Sequence, residues 1–357
     1  MKKWLSLLVL PLLLCACGNN TPSGDNTNAC SVLNVYNAGE YIDENVNEIF
    51  AKEHGVKVNY SLFASNEEMY TKLMSGTKYD VIIPSDYMIQ KMISENLLQK
   101  IDRNKITNFD NLYEGTLNKA FDPLNEYSIP YFWGNVGIVY DTTKIDPKDV
   151  ESEGWNVFQN TKYKGMIYMY DSERDAFMMA LKALGYSMNT TSLDELNEAY
   201  EWLAQVQTTM DPLTATDEAI DGLIYGQKAM GMMYSGDAAY ILSENEDMAY
   251  FVPEEGTNLW VDAMVIPANA SCPELAHEYI NYMLDYDTAL TNSSFVGYSS
   301  SNKEVFEELA GEGGDYEGIN AYTPRVNYAK DEVFVNNEEV RKVISELWIK
   351  VKALNKQ

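Results

Sequence analysis

Between residues 32 and 84 the chain alternates extended and helical patterns with only short spacers, and that alternation restricts the fold more than any other feature. Val32-Leu33-Asn34-Val35-Tyr36 is a short apolar strand, and residues 44–53 form a helical pattern stopped by Gly55. Residues 56–60 predict a second strand. Ser65-Asn66-Glu67-Glu68 has the spacing of a capping box, opening a helix that ends near Gly76. Tyr79-Asp80-Val81-Ile82-Ile83 then predicts a third strand, closed by Pro84. Strand, helix, strand, helix, strand within roughly fifty residues implies α/β architecture with a parallel, helix-covered sheet. In such sheets ligands sit beyond the carboxyl ends of the strands. Here those ends are Asn37-Ala38-Gly39-Glu40-Tyr41 and Ser85-Asp86-Tyr87.

A second alternating region follows an extended, aromatic-rich passage from Tyr127 to Tyr140. Strands are expected over 166–170 and 230–234, and helices over 174–184, 193–203, 218–225 and 238–243. The turn Asp171-Ser172-Glu173-Arg174-Asp175 is acidic where a helix start tolerates acids in any case. Helices are also expected over 273–284 and, as an amphipathic final element, 337–354. Two α/β regions between which the chain crosses more than once suggest two lobes around a cleft, with hinge closure as the expected motion.

Gly256-Thr257-Asn258-Leu259-Trp260-Val261-Asp262-Ala263-Met264-Val265-Ile266-Pro267 joins a turn to a buried strand. Side chains two apart on a strand share a face, so Trp260 and Asp262 project together. A π-face beside a carboxylate is half of a site for a small organic cation. On this stretch alone, a core tryptophan and a satisfied polar group at a strand start is the favoured assignment.

The chain has 357 residues, enough for two cores, with 26 basic and 54 acidic side chains and a net charge of −28. Such a field repels nucleic acid and anionic lipid and attracts cations. The first residues, Met1-Lys2-Lys3 and then an apolar run to Leu14, have the form of a secretory signal, and that run is too short to span a bilayer. Leu14-Cys15-Ala16-Cys17 resembles a bacterial lipobox with Cys17 as the acylated residue. Removal of residues 1–16 takes away Lys2 and Lys3 and moves the net charge from −28 to −30. Residues 17–30 are small and polar and predict a flexible tether. Cys30 and Cys272 remain, and two cysteines alone leave a disulfide open.

Catalytic chemistry lacks its parts. The two histidines, His54 and His277, fall on helical patterns beside acids and are expected at the surface. There is no CxxC, no HExxH, no phosphate-cradling glycine loop and no calcium-loop spacing, so neither an enzyme nor a bound cofactor or metal is expected.

Tyr36-Asn37-x-x-Glu40-Tyr41, Ser65-Asn66-Glu67-x-Met69-Tyr70, Pro84-Ser85-x-Tyr87, Phe121-Asp122-Pro123, Tyr127-Ser128-Ile129-Pro130-Tyr131 and Trp260-x-Asp262 resemble, in order, the polyamine-binding proteins of ABC importers, the PotD-type spermidine/putrescine receptors. The resemblance runs from about Leu33 to the last helix. It implies a two-lobed periplasmic-binding-protein fold with hinge crossovers and a polyamine in the central cleft. The expected lobes are 31–134 with 262–301, and 135–261 with 302–357. Tyr41, Ser85, Tyr87, Trp260, Asp262 and Tyr298 match family ligand residues in kind, with Glu40 beside Tyr41 at the same strand end. Tyr234 stands where the family often has Trp, and Asp175 where a Glu can hold an inner amine. The sequence also departs from the family. Ala38-Gly39 replaces a Trp-Thr pair and removes one aromatic wall, Asp86 adds a carboxylate, and the position of a family Gln falls loosely at Phe334 or Val335.

The resemblance further implies a monomer that delivers ligand to membrane permease subunits and touches the membrane through its lipid anchor only. Carbohydrate binding in the same architecture is the main alternative, since stacked aromatics and carboxylates also hold sugars. Ferric-ion capture is a weaker one, because the chain has no adjacent Tyr-Tyr pair.

Overall fold

The computed structural model describes residues 30–39 and 41–354. The expected signal segment, most of the tether, Cys17 and Glu40 lie outside the described residues. The first alternation folds as β1 (Val32–Ala38), α1 (Glu44–His54), β2 (Lys57–Phe63), α2 (Asn66–Met74) and β3 (Val81–Ile82). β1 pairs in parallel with both β2 and β3. Local chemistry sets the boundaries. Asp43 caps α1 by accepting from Asn45 N, and Gly55 ends it in the left-handed region at φ 63°. Ser65 Oγ accepts from Glu68 N, while Glu68 reaches back to Ala64 N, one residue before the position the capping box specifies.

The chain continues through α3 (Asp86–Ser94) into β4 (Ser128–Asp141), then α4 (Pro147–Glu153), β5 (Tyr168–Tyr170), α5 (Glu173–Ala183), α6 (Leu193–Thr209) and β6 (Leu213–Ala215). Next come α7 (Glu218–Ile224), β7 (Met230–Tyr234), α8 (Ser235–Glu244), β8 (Met248–Phe251) and β9 (Leu259–Val265). The remainder is α9 (Pro273–Met283), α10 (Tyr286–Val296), β10 (Ser299–Ser300), α11 (Lys303–Ala310) and α12 (Glu338–Ala353).

β5 and β6 pair in parallel in a separate two-stranded sheet, while the main sheet is mixed, with the expected parallel pairing among its first three strands. Its order is β10-β4-β9-β3-β1-β2, with β7 and β8 also pairing with β4 and every pairing beyond β1–β3 antiparallel. β4 is buried along its whole length and belongs to two sets of strands. Residues 128–135 pair with β9, and residues 136–141 pair with β7 and β8. Pro130, which has no amide proton to give, sits at a register shift of the β4–β9 ladder, where a proline is tolerated.

Two cores flank this shared strand. One gathers Tyr36, Ile82, Met88 and Trp133 with Leu259, Val261, Ala263 and Val265 of β9. The other gathers Val139, Tyr168, Met233, Ala238 and Tyr250. In β9 the odd-numbered side chains enter the first core, so Trp260 and Asp262 face the other way. Helices α10 and α11 extend past the elements the sequence indicated, and α3 begins inside the stretch taken as a strand-end loop.

One histidine corrects expectation. His54 is exposed and stacks on Phe50 with ring centroids 4.1 Å apart. His277 is buried: its Nδ1 lies 2.6 Å from Pro273 O and its Nε2 accepts from Asp102 N at 2.9 Å. Its ring therefore joins α9 to the chain after β3 in place of facing water. Cys30 and Cys272 are both disulfide-bonded. Among the described residues no helix is long and apolar enough to cross a membrane, and no acid, cysteine and histidine cluster has the form of a metal site.

Candidate ligand-binding site

A cavity of about 1340 Å³ opens where the carboxyl ends of β1 and β3, the outer face of β9 and the amino ends of α3, α5 and α8 meet. Tyr41, Ser85, Asp86, Tyr87, Asp175, Tyr234, Trp260, Asp262 and Tyr298 all line it. They come from six segments well separated in sequence, with Ser85-Asp86-Tyr87 at the start of α3 and the period-2 face of β9 supplying the central pair.

Asp262 sits opposite the start of α3, its backbone bridged to Ser85. Tyr41 donates its hydroxyl to Asp262 Oδ2 at 2.7 Å, and the Tyr41 carbonyl in turn accepts from the buried Tyr131 hydroxyl at 2.7 Å. Burial pushes the Asp262 carboxyl above its ordinary range, partly offset by the hydrogen bonds from Tyr41 and Ser85. Asp86 is 1% exposed and spends both oxygens on backbone: Oδ1 accepts from Tyr87 N at 2.6 Å and Oδ2 from Val261 N at 3.2 Å. Burial and then the charge of Asp262 push the Asp86 carboxyl up to about 7.

Asp175 occupies the first turn of α5, with Ser172 as the preceding cap. Its Oδ2 accepts from the Ser172 hydroxyl at 2.6 Å and the Tyr234 hydroxyl at 2.7 Å, while its Oδ1 is buried with no hydrogen-bond partner. Tyr234 is thus the residue before α8, and the same helix start supplies a carboxylate that sequence reasoning missed. Asp237 accepts from the Tyr298 hydroxyl at 3.0 Å, and burial pushes its carboxyl up to about 6. An acid in the first turn of a helix is so ordinary that Asp237 carried no signal of its own.

The aromatic side chains make a continuous wall. Tyr41, Tyr298, Trp260, Tyr234 and Tyr170 follow one another edge to face, with successive centroids 5.6, 5.2, 6.3 and 5.6 Å apart. Two glycines make room for it. A Cβ at Gly134 would collide with the Trp260 indole, and one at Gly236 with the Tyr298 ring. Tyr87 stands apart from this wall, because the Arg174 guanidinium lies over its ring at 3.3 Å from the centroid. Tyr170, Arg174 and Asp217 also line the cavity and were not singled out in the sequence; Phe334, the loose match to a family Gln, lines it too. Ala38 and Gly39 border the cavity where an aromatic wall is absent.

This arrangement places aromatic faces and buried carboxylates around one cavity, with Tyr and Ser hydroxyls already donating to the acids. It suits a ligand that brings hydrogen-bond donors and positive charge.

The chain is similar to known proteins over most of its length. It is 38% identical over 304 residues to the spermidine/putrescine-binding periplasmic protein of Escherichia coli strain K12, covering 85% of each chain. It is 26% identical to the putrescine-binding periplasmic protein PotF of the same organism, covering 99% of this chain and 98% of that one. Among solved structures, the spermidine/putrescine ABC transporter substrate-binding protein PotD from Streptococcus pneumoniae superposes with a TM-score of 0.80 at 37% identity, covering 90% of this chain and 98% of that one. The fold is accordingly the two-lobed α/β architecture of solute-binding proteins. Residues 46–316 match the bacterial extracellular solute-binding protein family, and the chain belongs to that family, whose members bind a solute and are not enzymes.

Proposed function

We propose that this protein is an extracytoplasmic receptor for polyamines, putrescine or spermidine, that hands its ligand to the permease subunits of an ABC importer. One observation carries the proposal: the amino ends of α3, α5 and α8 converge on the cavity, and each brings an aspartate, the buried Asp86 and Asp175 and the half-buried Asp237, joined by Asp262 from β9. Helix amino ends alone favour anions. The acids reverse that sign and leave a site for ammonium groups, while the aromatic wall suits the methylene chain between them. Asp262 would hold one terminal ammonium and Asp175, through its unpartnered Oδ1, another. Relatives named for spermidine and putrescine binding support the same conclusion.

Sugar hydroxyls also donate to carboxylates, but a neutral sugar brings no counter-charge to those four aspartates around the cavity, which disfavours that alternative.

The proposal includes the organisation around the site. Residues 31–134 with 262–301 form one lobe, and 135–261 with 302–357 the other, β4 crossing between them. One adjustment is proposed from packing: Val305 and Leu309 of α11 share a cluster with Ala289 of α10 and with Tyr322, which supports assigning α11 and Tyr322 to the first lobe. The mature protein would begin at an acylated Cys17, act as a monomer and meet the membrane through that anchor.

A thermal-shift screen with putrescine, spermidine, several sugars and Fe³⁺ tests the function. A ligand at one hundred times its Kd stabilises the native state by about 2.7 kcal/mol. A rise in Tm with the two polyamines alone is expected, and a rise with a sugar or Fe³⁺ in their place would refute the proposal.

A further inference from the structure

Asn258, the residue before β9, is 3% exposed, lines the cavity and has no hydrogen-bond partner for its Oδ1. Its backbone is held on both sides: the carbonyl accepts from Val136 N at 3.2 Å, and the residue bridges in parallel to Glu332. The extended ladder of β9 therefore begins one residue before the strand itself. Side chains two apart share a face, so Asn258 stands with Trp260 and Asp262 on the side that looks into the cavity. A buried acceptor without a partner is uncommon in folded proteins and calls for a physical reason. The amide can meet a ligand with its oxygen, because a half-turn about its last side-chain bond exchanges oxygen and nitrogen. Asp175 Oδ1 is buried and unpartnered in the same way, and a diamine already accounts for it. Nothing in a diamine accounts for Asn258.

Resting on the polyamine proposal above, we infer that Asn258 is a specificity-determining residue that accepts from the far nitrogen of a triamine and favours it over a diamine. Spacing along β9 carries the argument. Asp262 lies four residues beyond Asn258, about 13 Å at the rise of an extended strand. Putrescine spans about 6 Å between its nitrogens when extended, and spermidine about 11 Å between its outer ones, at roughly 1.2 Å per bond. Held at Asp262, putrescine ends over the Trp260 face, where Asp175 takes its other ammonium in the proposed receptor. Spermidine passes that face and brings a further N–H donor towards Asn258. A hydrogen bond from an ammonium to the amide oxygen is charge-assisted, and it exists only for the longer ligand. A site that places a polar group for one ligand discriminates against the analogue that leaves it unpaired.

The test is calorimetric titration of putrescine and spermidine into the wild-type chain, Asn258→Leu and Asn258→Asp. The quantity read is the ratio of spermidine to putrescine affinity, which a general loss of packing would leave alone because it weakens both ligands. Asn258→Leu, which keeps the size and removes the acceptor, is expected to lower that ratio about tenfold or more. Asn258→Asp keeps an oxygen acceptor at the same place, and is expected to hold the ratio within about threefold of wild type or to raise it. Should Asn258→Leu lose its melting transition, Asn258→Ala replaces it with the same expectation. A folded variant without the acceptor whose ratio stays within about threefold of wild type overturns the inference alone. A ratio lowered as much by Asn258→Asp as by Asn258→Leu also overturns it, because shape and not the acceptor would then be the cause. So does a wild-type chain that binds putrescine and not spermidine. A wild-type chain that binds neither polyamine overturns the receptor proposal and this inference together.

Discussion

The Asp262 end and the Asp175 end of the cleft are built from the same residue types and present their carboxylates in opposite ways. At the first, two acids lie close together, and the second of them, Asp86, has both oxygens committed to the amides of Tyr87 and Val261. At the other, a single acid receives two hydroxyls on one oxygen and keeps the second buried and unpartnered. The difference separates carboxylates that can meet a ligand from carboxylates that set the local charge. In the proposed receptor Asp262 and Asp175 are of the former kind and Asp86 of the latter, although all three line the cavity.

The largest expected effect follows at Asp262. Asp262→Asn keeps the shape and removes the charge, leaving a desolvated ammonium without its counter-ion. Loss of one partner of a buried charge pair costs about 2–5 kcal/mol, or roughly 30- to several-thousand-fold in affinity. Titration of putrescine into the folded variant measures it, and a loss below about threefold would return Asp262 to a structural role. Asp175→Asn should cost less, about 1.5–3 kcal/mol, in line with one charge-assisted hydrogen bond. Equal losses at the two positions would remove the proposed asymmetry between the ends.

A pH series sharpens the comparison. The Asp86 and Asp237 carboxyls are raised by burial to about 7 and about 6. A carboxyl raised in the folded state contributes stability that is present in acid and lost as pH climbs through its folded value. Without ligand, these two groups should therefore lower the melting temperature between about pH 4 and pH 7. A bound ammonium favours the ionised form of Asp237, so putrescine affinity should rise from pH 5 to pH 7 and binding near pH 6 should release protons. Titrations in buffers of different ionisation enthalpy read that release, and affinity that falls with pH would contradict it. The smallest effect is expected for Asp86→Asn. It should change putrescine affinity by less than about threefold, below ~0.7 kcal/mol, while lowering the melting temperature through a lost amide acceptor. A loss as large as that of Asp262→Asn would show that Asp86 meets the ligand directly.

Much of this geometry was legible in the sequence, and the reasons are specific. Period-2 alternation put Trp260 and Asp262 on one face, and the strand-end rule pointed to Tyr41 and to Ser85-Asp86-Tyr87. The alternation of strands and helices read correctly from Val32 to Ile82. What escaped were features that depend on tertiary neighbours. Asp237 and Arg174 stand in first helical turns, where charged residues are common for local reasons, and nothing local says that they face a cavity. His277 looks like a surface residue by its acidic neighbours, but tertiary packing buries it and brings Asp102 N against its ring. The sheet beyond β3 is antiparallel because β4 and β9 are brought together over more than a hundred residues, a pairing that periodicity does not encode.

The most direct measurement compares putrescine with butane-1,4-diol, which has nearly the same length and carbon chain but no charge, in calorimetric titrations of the wild-type chain at pH 7.5. If carboxylates recognise ammonium groups in the cleft, putrescine binds and the diol fails to compete even at a thousandfold excess. If the diol binds within about tenfold of putrescine, shape and aromatic contact suffice, and the cation-receptor assignment is contradicted.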